Sequence, residues 1–377
     1  MKDNEFIREF ENERITPWLD KLPKPYYHIS LNNRPNWKHD PTDFFKHIDD
    51  ATLANIKQRK QYLIFDWTDE GFSLEHFGVK EQILHNIALY DIDPKMVIYL
   101  SSNFKDNFVA CDFWVLGFDN FSTITWEMAY DVLEPEEQWE RCVRLTNQTY
   151  QGNKFLSLSR VFREHRCMAA FYLSTSKIKD QGLISHGPMH DWEPWWCRTA
   201  DSKISFKKWK RTLPRVLDRK DFTNNNNWQY TSEAEPLFTS TLFQIANESQ
   251  VDDVDGTAMF LTEKTFKSIY FMQPVYIYGQ PNVNHYLKDL GYRTYENWFA
   301  LEIDHIQNFE DRYLAMLNHI TKLCKRLSKQ SKQDQIQWRY KNKELLIHNY
   351  KHLISRSPAN TGLERFINDI TVYSNQQ

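Results

Sequence analysis

Short apolar runs alternate with longer stretches of helical spacing over most of this 377-residue chain. Residues 61–67 (QYLIFDW) and 96–100 (MVIYL) are continuous apolar runs that predict buried strands. Between them, residues 74–90 carry apolar side chains at helical spacing. Strand, helix and strand joined at these lengths predict a βαβ unit in a parallel sheet. The first 25 residues read as an acidic amphipathic helix and a turn, Leu22-Pro23-Lys24-Pro25.

A second series starts near residue 150. Residues 154–158 and 182–185 predict strands on either side of a helix at 164–172. After a polar, Trp-rich insertion come a strand at 237–245, a helix at 262–271 and a buried strand at 274–278. A helix at 284–290 then stops at Gly291. Two such series predict an α/β fold of two Rossmann-like domains facing one cleft. The expected division is an N-terminal domain over 1–150, a second over 151–310 and a basic helical tail over 311–377.

Composition narrows this picture. Hydrophobic residues make up 41% and aromatics 15%, enough for two cores and unlike a disordered, collagen-like or coiled-coil chain. Only 10 glycines are present and no GxGxxG or GxxxxGK occurs, so a phosphate site must be built from basic side chains and helix ends. The five cysteines are odd in number and never form CxxC, which argues against a disulfide framework or structural zinc and for a reducing compartment. The N-terminus lacks an apolar signal region, and no apolar window reaches the ~18 residues of a membrane span, so a cytoplasmic protein is expected. Net charge is −3, which does not announce a nucleic-acid binder. Residues 321–356 nevertheless hold ten Lys and Arg against Asp334 and Glu344, a net of +8 that leaves −11 elsewhere. This tail reads as a solvated helical pair on an acidic body, or else as a surface for a polyanion such as nucleic acid.

Three stretches carry candidate chemistry. Thr262-Glu263-Lys264-Thr265 opens a helix, whose free N–H groups and dipole favour an anion. Lys264 would add a point charge there and Glu263 an acceptor for sugar hydroxyls; the plainer reading is a capped helix with a Glu263–Lys267 pair. Arg160, Arg163, His165 and Arg166 lie where a predicted strand ends and a helix begins. Arginine grips phosphate bidentately, so a pyrophosphate clamp is expected there; the alternative is a solvated basic helix start, unusual because cations disfavour helix N-termini. Asp66, Asp69 and Glu70 follow the first strand, where open α/β sheets place their ligands. A carboxylate here is a candidate general base, against the alternative of a solvated acidic turn.

Other motifs are weaker. Asp91-Ile92-Asp93 and Asp253-Val254-Asp255 match DxD only formally, and Gly187-Pro188 breaks any helix that would align His186 with His190. No metal is assigned. The Trp-rich segment 186–198 reads as a satellite core, with a sugar-stacking acceptor platform as the alternative.

The run from Thr241 to Gly279, with Asn247-Glu248-Ser249, FLTEKTFKSI and QPVYIYG, resembles the donor-nucleotide region of fucosyltransferase-like glycosyltransferases. Leu287-Lys288-Asp289-Leu290-Gly291-Tyr292-Arg293-Thr294-Tyr295 is similar to a segment of the bacterial and phage members, and Asp304 and Arg312 fall where those members place an acidic cluster and an Arg. The resemblance covers about residues 154–320 and departs at Ser159, where Asn is common. It implies a GT-B fold and a metal-independent, inverting transfer from a nucleotide sugar to a glycan or other hydroxyl acceptor. The donor would rest on Arg160, Arg163, Arg166, Glu248, Thr262, Glu263 and Lys264, and the Glu-Gly that relatives often carry after the first strand makes Glu70 the first choice for the base and Asp66 the second. Two other readings stand beside it: a viral enzyme glycosylating a modified DNA base, and a non-catalytic α/β protein binding glycans or partners.

Overall fold

The computed structural model describes residues 19–30, 45, 48–67, 74–75, 78–103, 106–107, 109–117, 133–159, 162–188, 194–215, 217, 231–252, 259–355 and 363–376. The fold is α/β, with two four-stranded parallel sheets among these residues. Two compact units divide the chain: 1–123 with 253–260 and 356–377, and 124–252 with 261–355. The division near residue 123 precedes the boundary expected at 150. The helices expected to form one tail are shared between the units, because each buries its apolar face on a different core.

In the first unit, β1 (Tyr26–Ser30), β2 (Tyr62–Trp67), β3 (Val97–Ser101) and β4 (Trp114–Gly117) lie in sequence order, all parallel. Every residue of β2 and β3 is buried, as continuous apolar runs in a sheet centre require. Helix α1 (Asp50–Lys57) is capped by Asp49, whose side chain accepts from Thr52 N at 2.9 Å. Helix α2 (Val79–Leu89) starts later than the expected residue 74. Gly78 stands before it with φ of 68°, and Leu74 N is held by Asp106 at 3.0 Å, so the chain turns before the helix begins. A C-terminal helix, Leu363–Asn375, sets Phe366 and Tyr373 edge-on to Trp114 and belongs to this unit.

The second unit opens with α3 (Pro135–Thr149), β5 (Asn153–Ser159), α4 (Glu164–Thr175) and β6 (Gly182–His186). Next come α5 (Ala200–Lys210), α6 (Thr231–Thr239), β7 (Thr241–Asn247), α7 (Glu263–Tyr270), β8 (Val275–Tyr278) and α8 (Val283–Asp289). Helices α9 (Phe309–Leu327), α10 (Lys332–Arg339) and α11 (Lys343–Ser355) complete it. The strand expected at 237–245 is corrected: 237–239 end α6, and β7 begins only at Thr241. An apolar run does not by itself separate buried helix from buried strand. Phe238 stacks on Phe271 at 4.7 Å from the helical side of that junction.

The basic stretch 321–355 is amphipathic. Lys322, Lys325, Arg326, Lys329 and Lys332 are exposed, whereas Leu323, Cys324, Leu327 and Ile336 face the core. Arg339 departs from this pattern. It is 0% exposed and donates to the carbonyls of Phe238, Thr241 and Phe271, joining the end of α6 to the last turn of α7. All five cysteines are free thiols. No helix among the described residues is long and apolar enough to cross a membrane.

Candidate functional site

Strand order selects one place in the second unit. Its sheet runs β6-β5-β7-β8, so the chain leaves β5 toward one edge and β7 lies on the other side. The connections after β5 and β7 therefore diverge, and such a switch point is where open α/β sheets place their ligands. The described strands of the first unit keep the order β1-β2-β3-β4 and show no such reversal.

Helices α4 and α7 begin at this reversal. The N-cap position of α4 is Arg163, with no side-chain cap, and Arg166 sits one turn further on. Arg166 is 3% exposed; it donates to Glu248 O at 3.2 Å and to Ser249 Oγ at 2.9 Å. His165 Nε2 donates to the same Glu248 carbonyl at 2.9 Å. Burial, reinforced by Arg166, pushes the imidazole of His165 down to about 3, so it stays neutral. Below them, Asn247 Nδ2 reaches Ser157 Oγ at 2.9 Å and Ser159 Oγ at 3.3 Å, fastening the two strand ends together.

Glu248 was expected to meet a ligand; its carboxylate is instead turned inward. Oε2 accepts from Thr262 N at 3.1 Å and Thr262 Oγ1 at 2.5 Å, and Oε1 accepts from Thr265 Oγ1 at 2.5 Å. With 0% exposure it ties the end of β7 to the start of α7. Burial raises its carboxyl above the ordinary range, and Lys264 works against that shift. Thr262 caps α7, as the sequence predicts, and is itself 2% exposed.

Lys264 and Glu263 remain at the surface of this group, with side chains 17% and 13% exposed. Lys264 Nζ donates to Glu263 Oε1 at 2.7 Å and to Thr262 Oγ1 at 3.0 Å. Burial would raise Glu263, but Lys264 and then Lys267 overcome it and hold the carboxyl at about 2. Burial also lowers Lys264, against the pull of Glu263. Glu263 thus pairs with Lys264, and the Lys267 of the plainer reading contributes through its charge. Of the expected donor residues, Arg163, Arg166, Glu248, Thr262, Glu263 and Lys264 lie at the start of α4 or α7 or the end of β7. Arg160 lies outside the described residues, as do Asp69, Glu70, His190, Asp253 and Asp255.

In the first unit, Asp66, next to last in β2, is fully buried, and its Oδ2 lies 3.1 Å from His28 Nε2 on β1. The sequence reading missed His28, whose partner lies 38 positions away with no local signal. A carboxylate on one ring nitrogen fixes the tautomer and leaves the other nitrogen as a proton acceptor. Asp93 of the first DxD match is spent on structure: it accepts from Lys95 N at 3.0 Å and pairs with Arg59 at 3.0 Å. The satellite-core reading of the Trp-rich segment holds for Trp196, which packs on Phe171 and Phe206, each at 5.3 Å. Trp195 is 46% exposed beside Arg198. Comparison with family models, curated proteins and solved structures finds no match to this chain.

Proposed function

We propose that the chain is a GT-B glycosyltransferase that moves a sugar from a nucleotide-sugar donor to a hydroxyl acceptor with inversion. One observation carries this reading: helix N-termini and the cations Arg163, Arg166 and Lys264 converge where the second sheet reverses its strand order. A nucleotide diphosphate needs such a place, because its charge grows as the glycosidic bond breaks. Fixed N–H groups and cations stabilise that charge without reorganising. The acceptor oxygen attacks the anomeric carbon, its proton passes to a base, and the bonding pair of the old linkage leaves on the diphosphate.

Nucleotide affinity tests this directly. GDP, UDP and CMP are screened by thermal shift, and the best is titrated against Arg163→Ala, Lys264→Ala and Arg160→Ala. Each substitution is expected to weaken binding by about 1.5–3 kcal/mol, the scale of a hydrogen bond to a charged group. Folded variants that bind as tightly as the parent would remove those residues from the site. A parent that binds none of the nucleotides would favour a non-catalytic α/β protein.

Turnover is expected to survive EDTA, since cationic side chains and helix ends neutralise the leaving group in this scheme. Loss in EDTA with recovery in manganese would overturn it. The exposed row Lys322, Lys325, Arg326, Lys329 and Lys332 favours one variation, a nucleic-acid acceptor. That variation requires acceptor binding to fall steeply with salt.

A further inference from the structure

We propose a second ligand site in the same unit, for a small polyhydroxylated phosphomonoester such as a sugar phosphate. It is a cleft of about 500 Å³ along the outer side of edge strand β6, between the C-terminal end of α4 and helix α5. That volume lies in the usual range for small-molecule sites, about 300–1,000 Å³. The cleft shares no lining residue with the group around Glu248 and Lys264.

The first argument is charge. Lys179, Lys208 and Arg215 line the cleft against one carboxylate, Asp180. Helix α5 adds Lys203, Lys207 and Lys210 nearby in sequence, with Asp201 as its acidic residue. Such an excess of cations around a concave surface favours an anion, and a phosphate can accept from several of them at once.

The second argument is a polar atom left without a partner. His186 ends β6 at 1% exposure and forms part of the cleft lining. Its Nδ1 donates to Gly187 O at 2.8 Å, so Nε2 carries the lone pair, and that nitrogen is buried with no hydrogen-bond partner. Burial lowers the imidazole below its ordinary value and keeps it neutral. An unmet buried acceptor is costly, and a ligand hydroxyl that pushed in from the cleft to reach it would be the donor that satisfies it. A bare anion has no proton to give.

The third argument is shape. Trp209, whose ring lies 5.8 Å from that of His186, also lines the cleft, and an indole suits the C–H face of a sugar ring. Ser174, Thr175, Ser205 and Thr212 supply hydroxyls around it. Anion, hydroxyl donor and ring face are thus all provided for in one cleft, which a sugar phosphate matches and neither phosphate nor a neutral sugar does.

Calorimetric titration of the full chain with glucose 6-phosphate, glucose and inorganic phosphate tests the site. The sugar phosphate is expected to bind at one site at least about tenfold more tightly than either fragment, a difference of one good hydrogen bond. Lys208→Ala and Arg215→Ala, both at exposed positions, should each weaken it about tenfold. His186→Phe should erase the preference over inorganic phosphate; if that variant does not fold, Thr212→Val and the two cation variants still decide the outcome. Absence of saturable binding up to about 10 mM overturns the proposal. So does inorganic phosphate binding as tightly as the sugar phosphate. Loss of binding in Lys264→Ala would place the ligand at the reversal point of the sheet and overturn it as well.

Discussion

Arg312→Met is expected to lower the unfolding free energy by about 3–5 kcal/mol, the range for breaking a buried charged network. The guanidinium is 3% exposed and donates to four carbonyls: Ile306 and Gln307 from Nη1, Val251 and Gly279 from Nη2. These carbonyls belong to the segments after β7, after β8 and before α9, so one side chain closes three loops. Methionine fills much of the volume yet offers no donor. Each carbonyl left dry would cost about 1–3 kcal/mol, and relaxation recovers part of the total. Arg312→Lys keeps the charge, but a single ammonium does not reach all four acceptors, so an intermediate loss is expected. Urea midpoints at unchanged m-value read both effects. Full stability in the lysine variant would show that charge matters and the fork does not. Nucleotide binding should weaken too, since Val251 and Gly279 flank the segment that holds Glu248.

Asp66→Asn is expected to reduce glycosyl transfer by about 10²–10⁴ while leaving nucleotide affinity unchanged. Asp66 is buried against His28, so under the proposed function it would act on an acceptor through that imidazole. An amide in its place no longer fixes the tautomer that presents a basic nitrogen. His28→Gln should match the loss, and the double variant should add little to either single one, as residues acting in one unit do. Glu70→Gln and Asp69→Asn are the necessary companions, because the sequence places these carboxylates just after the same strand. If Glu70→Gln alone abolishes turnover while Asp66→Asn and His28→Gln retain it, the base is Glu70 and the His28–Asp66 pair is structural. If all four remain active, no residue of this group is the base.

Several elements were legible in the chain because burial leaves a local trace. The apolar runs of β2, β3, β5 and β8 mark strands covered on both faces, and Thr262 marks the start of α7 by the hydroxyl it lends to that helix. β1 escaped notice because YYHIS places a histidine in a run of five, and β4 because four residues are too few to show a period. The 237–239 error came from a run whose apolar character is the same in a buried helix as in a buried strand.

The sequence by itself determined an α/β chain of two successive strand–helix series, with basic groups concentrated where strands end and helices begin. Tertiary structure alone decided that the second sheet reverses between β5 and β7, and so which helix N-termini meet. It also turned Glu248 inward, drew Arg312 and Arg339 onto carbonyls, and set His28 against Asp66. The physical reason is range. Periodicity and capping act over a few residues and leave their mark in the local pattern, whereas strand order and buried polar pairing join residues tens of positions apart, and only the packed chain selects among those partners.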